Sequence, residues 1–136
     1  MREVLGQVEK PATVLLGPPG SGKSGLLRHY ELACCRAALA NREAGASTKN
    51  PLTFFIPLHD YKPERADGPL PRPMGWLTAR WQALDPALPP LPTLLRERRL
   101  TLLRDAINEI PYAKDGAIGH WKAFLQDLVR DYPGNR

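Results

Sequence analysis

Eight residues, Gly17-Pro18-Pro19-Gly20-Ser21-Gly22-Lys23-Ser24, restrict this chain more than any other stretch. They fit the phosphate-loop pattern G-x-x-x-x-G-K-[ST], which gains its weight as a site from a strand before it and a helix after it. Upstream, Ala12-Thr13-Val14-Leu15-Leu16 is a short, partly β-branched apolar run that predicts a buried parallel strand. Downstream, the spacing predicts a helix from Lys23 to about Asn41. Strand, glycine-rich loop and helix therefore follow one another in the order the pattern demands.

The residue types suit phosphate chemistry. Gly20 and Gly22 allow φ values that a side chain disfavours, so the backbone can approach phosphate oxygens closely. Amides from Gly20 through Gly25 are expected to form an anion nest at the helix N-terminus. Gly17, Pro18, Pro19 and Ser21 complete the nucleotide-binding loop. Lys23 is expected to reach the β- and γ-phosphates of ATP, and the Ser24 hydroxyl to ligate Mg²⁺.

Bulk properties narrow the setting. At 136 residues the chain is read as one domain, long enough to bury about two-thirds of its unfolded surface. No apolar run approaches a membrane span, and Met1-Arg2-Glu3 opens a charged segment unlike a signal peptide, so a soluble, cytoplasmic protein is expected. Cys34 and Cys35 are adjacent, a poor spacing for a disulfide framework, and read as small helix-packing hydrophobes. His29, His59 and His120 have no metal-ligand spacing, so zinc is not expected. The net charge of +5 comes from scattered basic residues, with one dense run at Arg96-Glu97-Arg98-Arg99. That pattern reads as solvation rather than as a nucleic-acid surface.

Along the chain, Leu26, Leu27, Tyr30, Cys34, Ala37 and Ala38 recur at helical spacing, and Gly45 stands where the helix should have stopped. Residues 46–51 read as a polar turn before a second buried strand, Leu52–Ile56, closed by Pro57. Residues 62–92 are proline-dense, yet Trp76, Trp81 and several leucines point to an ordered connection with a short helix over Trp76–Leu84. Thr93 is expected to cap a short helix through Arg98, followed by a third strand, Leu100–Leu103. Trp121, Phe124, Leu125, Leu128, Val129 and Tyr132 form one face of a final helix that Pro133-Gly134 stops. Strands separated by helical connections predict an α/β fold with a parallel sheet and right-handed crossovers.

A phosphate loop needs an acid to organise its metal. The run Leu100-Thr101-Leu102-Leu103-Arg104-Asp105 offers Asp105 at a strand's carboxyl end, where it could hold the Mg²⁺ water shell opposite Ser24. Glu109, four residues on, could orient or deprotonate an attacking water.

With these residues in view, the chain resembles the NACHT branch of the STAND signalling NTPases. The resemblance rests on Gly17–Ser24, on Pro51–Tyr61 and on Asp105-Ala106-Ile107-Asn108-Glu109-Ile110-Pro111, and it spans residues 12–136. It implies a three-layer P-loop NTPase and a signalling switch driven by ATP binding and slow hydrolysis. It also implies self-association or a partner protein within a signalling assembly. His59 stands where the family commonly has arginine, Asn108 replaces a frequent acid, and Arg104 puts a charge at a strand position that is usually apolar. The family's next strand, with its sensor arginine, is expected beyond Arg136, so the domain is expected to be incomplete at its C-terminus and hydrolysis near background. Two other readings stand beside it. One is a non-catalytic binding or packing module; the other is a small phosphotransferase, because the loop also resembles that of nucleotide kinases.

Overall fold

The computed structural model describes residues 15–45, 51–65, 68–106, 109 and 116–135. Helix α1 (Lys23–Glu43) starts after Gly22, whose φ of 81° is left-handed and open to glycine without a Cβ clash. The helix closes with Ala44 N–H donating to the Ala40 carbonyl and Gly45 N–H, at φ 68°, to that of Arg42. Gly45 is the left-handed residue that commonly terminates a helix.

Strands β1 (Leu52–Pro57) and β2 (Leu100–Asp105) pair in parallel, with Leu52 opposite Leu100 and Pro57 opposite Asp105. Alternate side chains of a strand point to opposite faces, and both faces are used here. On one, Cys35 Sγ of α1 lies 3.9 Å from Thr53 Oγ1, and Arg28 stacks 3.4 Å above the Phe55 ring. On the other, Phe54 meets the Trp81 ring edge-on at 5.1 Å. Trp81 belongs to α2 (Pro73–Leu84), which shares that side with α3 (Leu91–Arg96) and α4 (Ala117–Asp131). The described chain is thus a two-stranded parallel sheet with helices on both faces.

Most of the core lies on the three-helix side. Ile56, Leu77, Leu94 and Trp121 are almost fully excluded from solvent there. Tyr61 sits edge-on to Trp76 and Trp121 at 5.3 Å each, and Trp121 meets Phe124 at 5.5 Å. The Tyr61 hydroxyl donates to the Pro71 carbonyl, and Trp81 Nε1 donates to the Pro89 carbonyl at 2.9 Å. Two prolines of the connection are thereby tied to core aromatics. Buried Asn135 donates to the Leu95 and Tyr132 carbonyls at 2.8 and 3.0 Å, fastening the end of α4 to α3.

The structure corrects several expectations. The proposed strand Ala12–Leu16 lies outside the described residues up to Val14. Its described end, Leu15 and Leu16, adopts no strand, and Leu16 is 90% exposed. Among the described residues no strand runs beside it, and an unpaired strand leaves its backbone donors and acceptors without partners. Thr93 lies inside α3 and is not its cap. That helix begins at Leu91 because Pro92 presets the φ of the first turn and Leu91, Leu94 and Leu95 are buried together. Pro73 likewise starts α2 three residues ahead of Trp76, and Gly116 at φ 89° starts α4 ahead of Trp121. Strand β2 extends through Arg104 and Asp105.

Arg104 is partly buried on the face that carries Ile56, and burial pushes its guanidinium below the ordinary value. No described residue pairs with it. Replacing a desolvated, unpaired charge with a hydrophobe of similar reach is expected to stabilise, so Arg104→Leu should gain about 1–2 kcal/mol. Urea unfolding midpoints check this; a loss of stability would mean that the guanidinium has a compensating partner.

Candidate functional site

The loop's backbone follows from its sequence. Ser21 N–H donates to the Pro18 carbonyl at 3.2 Å, closing a four-residue turn with Pro19 and Gly20 at its centre. Proline sets the φ of the first central position, and Gly20 supplies the positive φ, 76°, that the second requires in a type II turn. Gly22 then turns the chain into α1, whose first intrahelical bond runs from Leu26 N–H to the Gly22 carbonyl at 2.9 Å. The amides at the head of α1, including those of Lys23, Ser24 and Gly25, are therefore not used by the helix. Ser24 and Gly25 are exposed in this first turn.

Lys23 does not extend into solvent. Its ammonium donates to the Gly17 and Pro18 carbonyls at 2.8 Å each and to Ser21 Oγ at 3.3 Å. The loop thus curls around its own cation and concentrates positive charge at the helix N-terminus.

Topology fixes where this loop lies relative to Asp105. From Arg28 to Cys35 along α1, the contacted strand residues fall from Phe55 to Thr53, so α1 runs antiparallel to the strands. Ser24 precedes Arg28 by about 6 Å of helix rise. Asp105 stands two positions beyond Leu103, the register partner of Phe55, and so lies about 6.6 Å further along the sheet. The N-terminal end of α1, with Ser24, is therefore directed toward the carboxyl edge of the sheet, the edge that carries Asp105 and where open α/β folds bind ligands. Asp105 shares the face of Thr53 and Phe55, the one covered by α1.

Asp105 is held by its neighbour. Its Oδ1 accepts from Ala106 N–H at 2.9 Å, and Ala106 takes φ 59°, an uncommon left-handed conformation for a residue with a Cβ. The carboxylate keeps Oδ2 for another donor or a hydrated cation. Glu109 N–H donates to the Ala106 carbonyl at 2.9 Å, while its side chain is exposed and bonds no described residue. Of the motif around these acids, Ile107, Asn108, Ile110 and Pro111 lie outside the described residues. Arg104, next to Asp105 in β2, points to the opposite face, while Arg28 lies on the Asp105 face over the Phe55 ring.

A second polar group borders the same edge. His59 Nε2 lies 3.3 Å from Asp60 Oδ1, and Arg80 donates to Asp60 Oδ2 at 2.6 Å while stacking 4.7 Å above the Trp76 ring. The Asp60–Arg80 pair joins the end of β1 to α2, so Asp60 is engaged structurally.

No family model matches the chain, and neither does any curated protein or solved structure. Among the described residues no helix is long and apolar enough to cross a membrane.

Two roles were not read from the sequence, that of Ser21 toward Lys23 and that of Ala106 toward Asp105. Ser21 is a variable position of the loop pattern, and its contact with Lys23 depends on the turn that Pro18–Ser21 forms. Ala106 gave no signal, since alanine has no preference for a positive φ. Only the observed backbone reveals its part in holding the Asp105 carboxylate.

Proposed function

We propose that this chain binds the phosphates of Mg-ATP in the loop Gly17–Ser24, as a P-loop nucleotide-binding domain of the NACHT/STAND kind with little or no hydrolysis. The observation that carries the reading is the loop itself: a type II turn and a left-handed glycine gather the Lys23 ammonium at the head of α1, the end of the helix directed toward the sheet edge that carries Asp105. Residues fit the group they would hold. The free amides at the start of α1 and the Lys23 ammonium suit phosphate oxygens, and Ser24 with Asp105 suits Mg²⁺, a hard cation that takes oxygen ligands and keeps several waters. Held by Ser24 and Asp105, Mg²⁺ would supply charge neutralisation to the phosphates.

The protein's own residues then have separable tasks. Lys23 would engage the terminal phosphates, Ser24 would offer its hydroxyl to Mg²⁺, and Asp105 would accept from the water shell of the metal. Glu109 is the candidate for orienting a water, and its exposed side chain accords with slow turnover. The parallel sheet with helices on both faces supports assignment to the P-loop class, and the run Asp105–Pro111 supports the NACHT branch within it.

Calorimetric titration tests the metal half of this reading. Asp105→Asn should weaken binding of Mg-ATP by about ten-fold, the worth of one charge-assisted hydrogen bond, while leaving metal-free ATP binding near the wild-type value. Equal losses with and without Mg²⁺ would remove Asp105 from the metal site. Multiple turnovers of ATP that disappear in Glu109→Gln would refute the expectation of near-background hydrolysis.

A further inference from the structure

The three oxygens around Lys23 match the number of its donors. An ammonium has three N–H bonds, and here they meet the Gly17 carbonyl, the Pro18 carbonyl and Ser21 Oγ. A phosphate oxygen can be engaged only when one of these is released. The two carbonyls lie at 2.8 Å, and that of Pro18 also closes the Pro18–Ser21 turn, whereas the hydroxyl is the most distant at 3.3 Å. Rotation about a single side-chain bond also suffices to move it.

A second observation concerns the place the hydroxyl occupies. A Cβ added at Gly17 would lie 2.7 Å from Ser21 Oγ and 3.5 Å from its Cβ. Ser21 can lean back toward Lys23 only because residue 17 has no side chain. Gly17 does not take a positive φ, so its backbone would accept alanine. Here a glycine of the loop is needed for side-chain room and not for backbone freedom.

We propose that the Ser21 hydroxyl is a latch on Lys23, seated over the bare Gly17 α-carbon, which holds the ammonium within the ligand-free loop and must swing away when phosphate enters. The inference rests on the nucleotide reading above and adds a regulation of that same site. Ser21 acts through Lys23 and is a positioning residue. Opening the latch is part of the cost of binding, so removing it raises affinity.

Two readouts on the full chain test this. In the ligand-free protein, an amine-acylating reagent with peptide mass spectrometry measures the labelling rate of Lys23, with exposed Lys122 as internal reference. Ser21→Ala and Gly17→Ala should each raise Lys23 labelling about two- to five-fold, as expected for loss of one long hydrogen bond to a charged group. Titration with Mg-ATP should then show binding tightened about two- to five-fold in both variants. Unchanged labelling would overturn the latch, as would weaker binding in Ser21→Ala, which would put the hydroxyl on the phosphate instead. If labelling rises in both variants and no form binds Mg-ATP, the nucleotide reading falls while the serine–lysine contact stands.

Discussion

Trp121→Ala is expected to cost about 3–5 kcal/mol of stability, the range for deleting a fully buried large aromatic. Trp121 is 1% exposed and makes edge-on contacts with Tyr61, Trp76 and Phe124 at 5.3, 5.9 and 5.5 Å. These rings come from the segment after β1, from α2 and from α4, so the indole joins three parts of the fold. Alanine would leave a cavity whose walls are too large and too mutually braced to close. Native domains hold only about 5–15 kcal/mol in total, so the variant should be largely destabilised under mild denaturant.

A companion substitution separates ring packing from the indole donor. Trp121 Nε1 is buried without an acceptor among the described residues. Phenylalanine keeps much of the packing and removes that unsatisfied donor, so Trp121→Phe should lose less than about 2 kcal/mol. Urea midpoints of the two variants check both statements. A loss below about 1 kcal/mol for Trp121→Ala would mean that this aromatic cluster is not the main core.

Lys23→Ala is expected to weaken Mg-ATP binding about ten- to a hundred-fold while leaving the melting temperature of the ligand-free chain nearly unchanged. The first number follows from the loss of a charge-assisted contact to phosphate, worth about 1.5–3 kcal/mol. The second follows from where the residue sits. Its bonds are to its own loop, Gly17, Pro18 and Ser21, and not to the core. A large loss of intrinsic stability would instead make Lys23 a structural clamp, and equal affinity in both proteins would remove it from the phosphate site.

The elements legible in the sequence are those whose signal is local. Leu52–Ile56 is a compact β-branched and aromatic run between prolines, and the strand forms there. Trp121 to Leu128 repeats at helical spacing, and α4 contains that stretch. The loop is legible because proline and glycine in Pro18–Gly20 leave the backbone few choices. Helix starts were less legible: Pro73 and Pro92 look like breakers, yet proline is compatible with a first turn whose amide has no helical acceptor. The described end of the first strand candidate fails for a non-local reason. An apolar run becomes a buried strand only if a neighbour pairs with it, and composition does not say which strands are adjacent. Ala106 and Ser21 matter through a dihedral angle and a rotamer, which alanine and serine do not announce.

The most direct test of phosphate binding is the unfolding temperature of the full chain with and without Mg-ATP at about 100 times its dissociation constant, beside Lys23→Ala at the same concentration. Binding to the folded state alone should add about 2.7 kcal/mol. For a domain of this size that is a rise of about 10 °C in the wild type, with a much smaller one in the variant. An unfolding transition indifferent to Mg-ATP, or one raised equally in both proteins, would contradict the assignment of Gly17–Ser24 as a nucleotide-phosphate site.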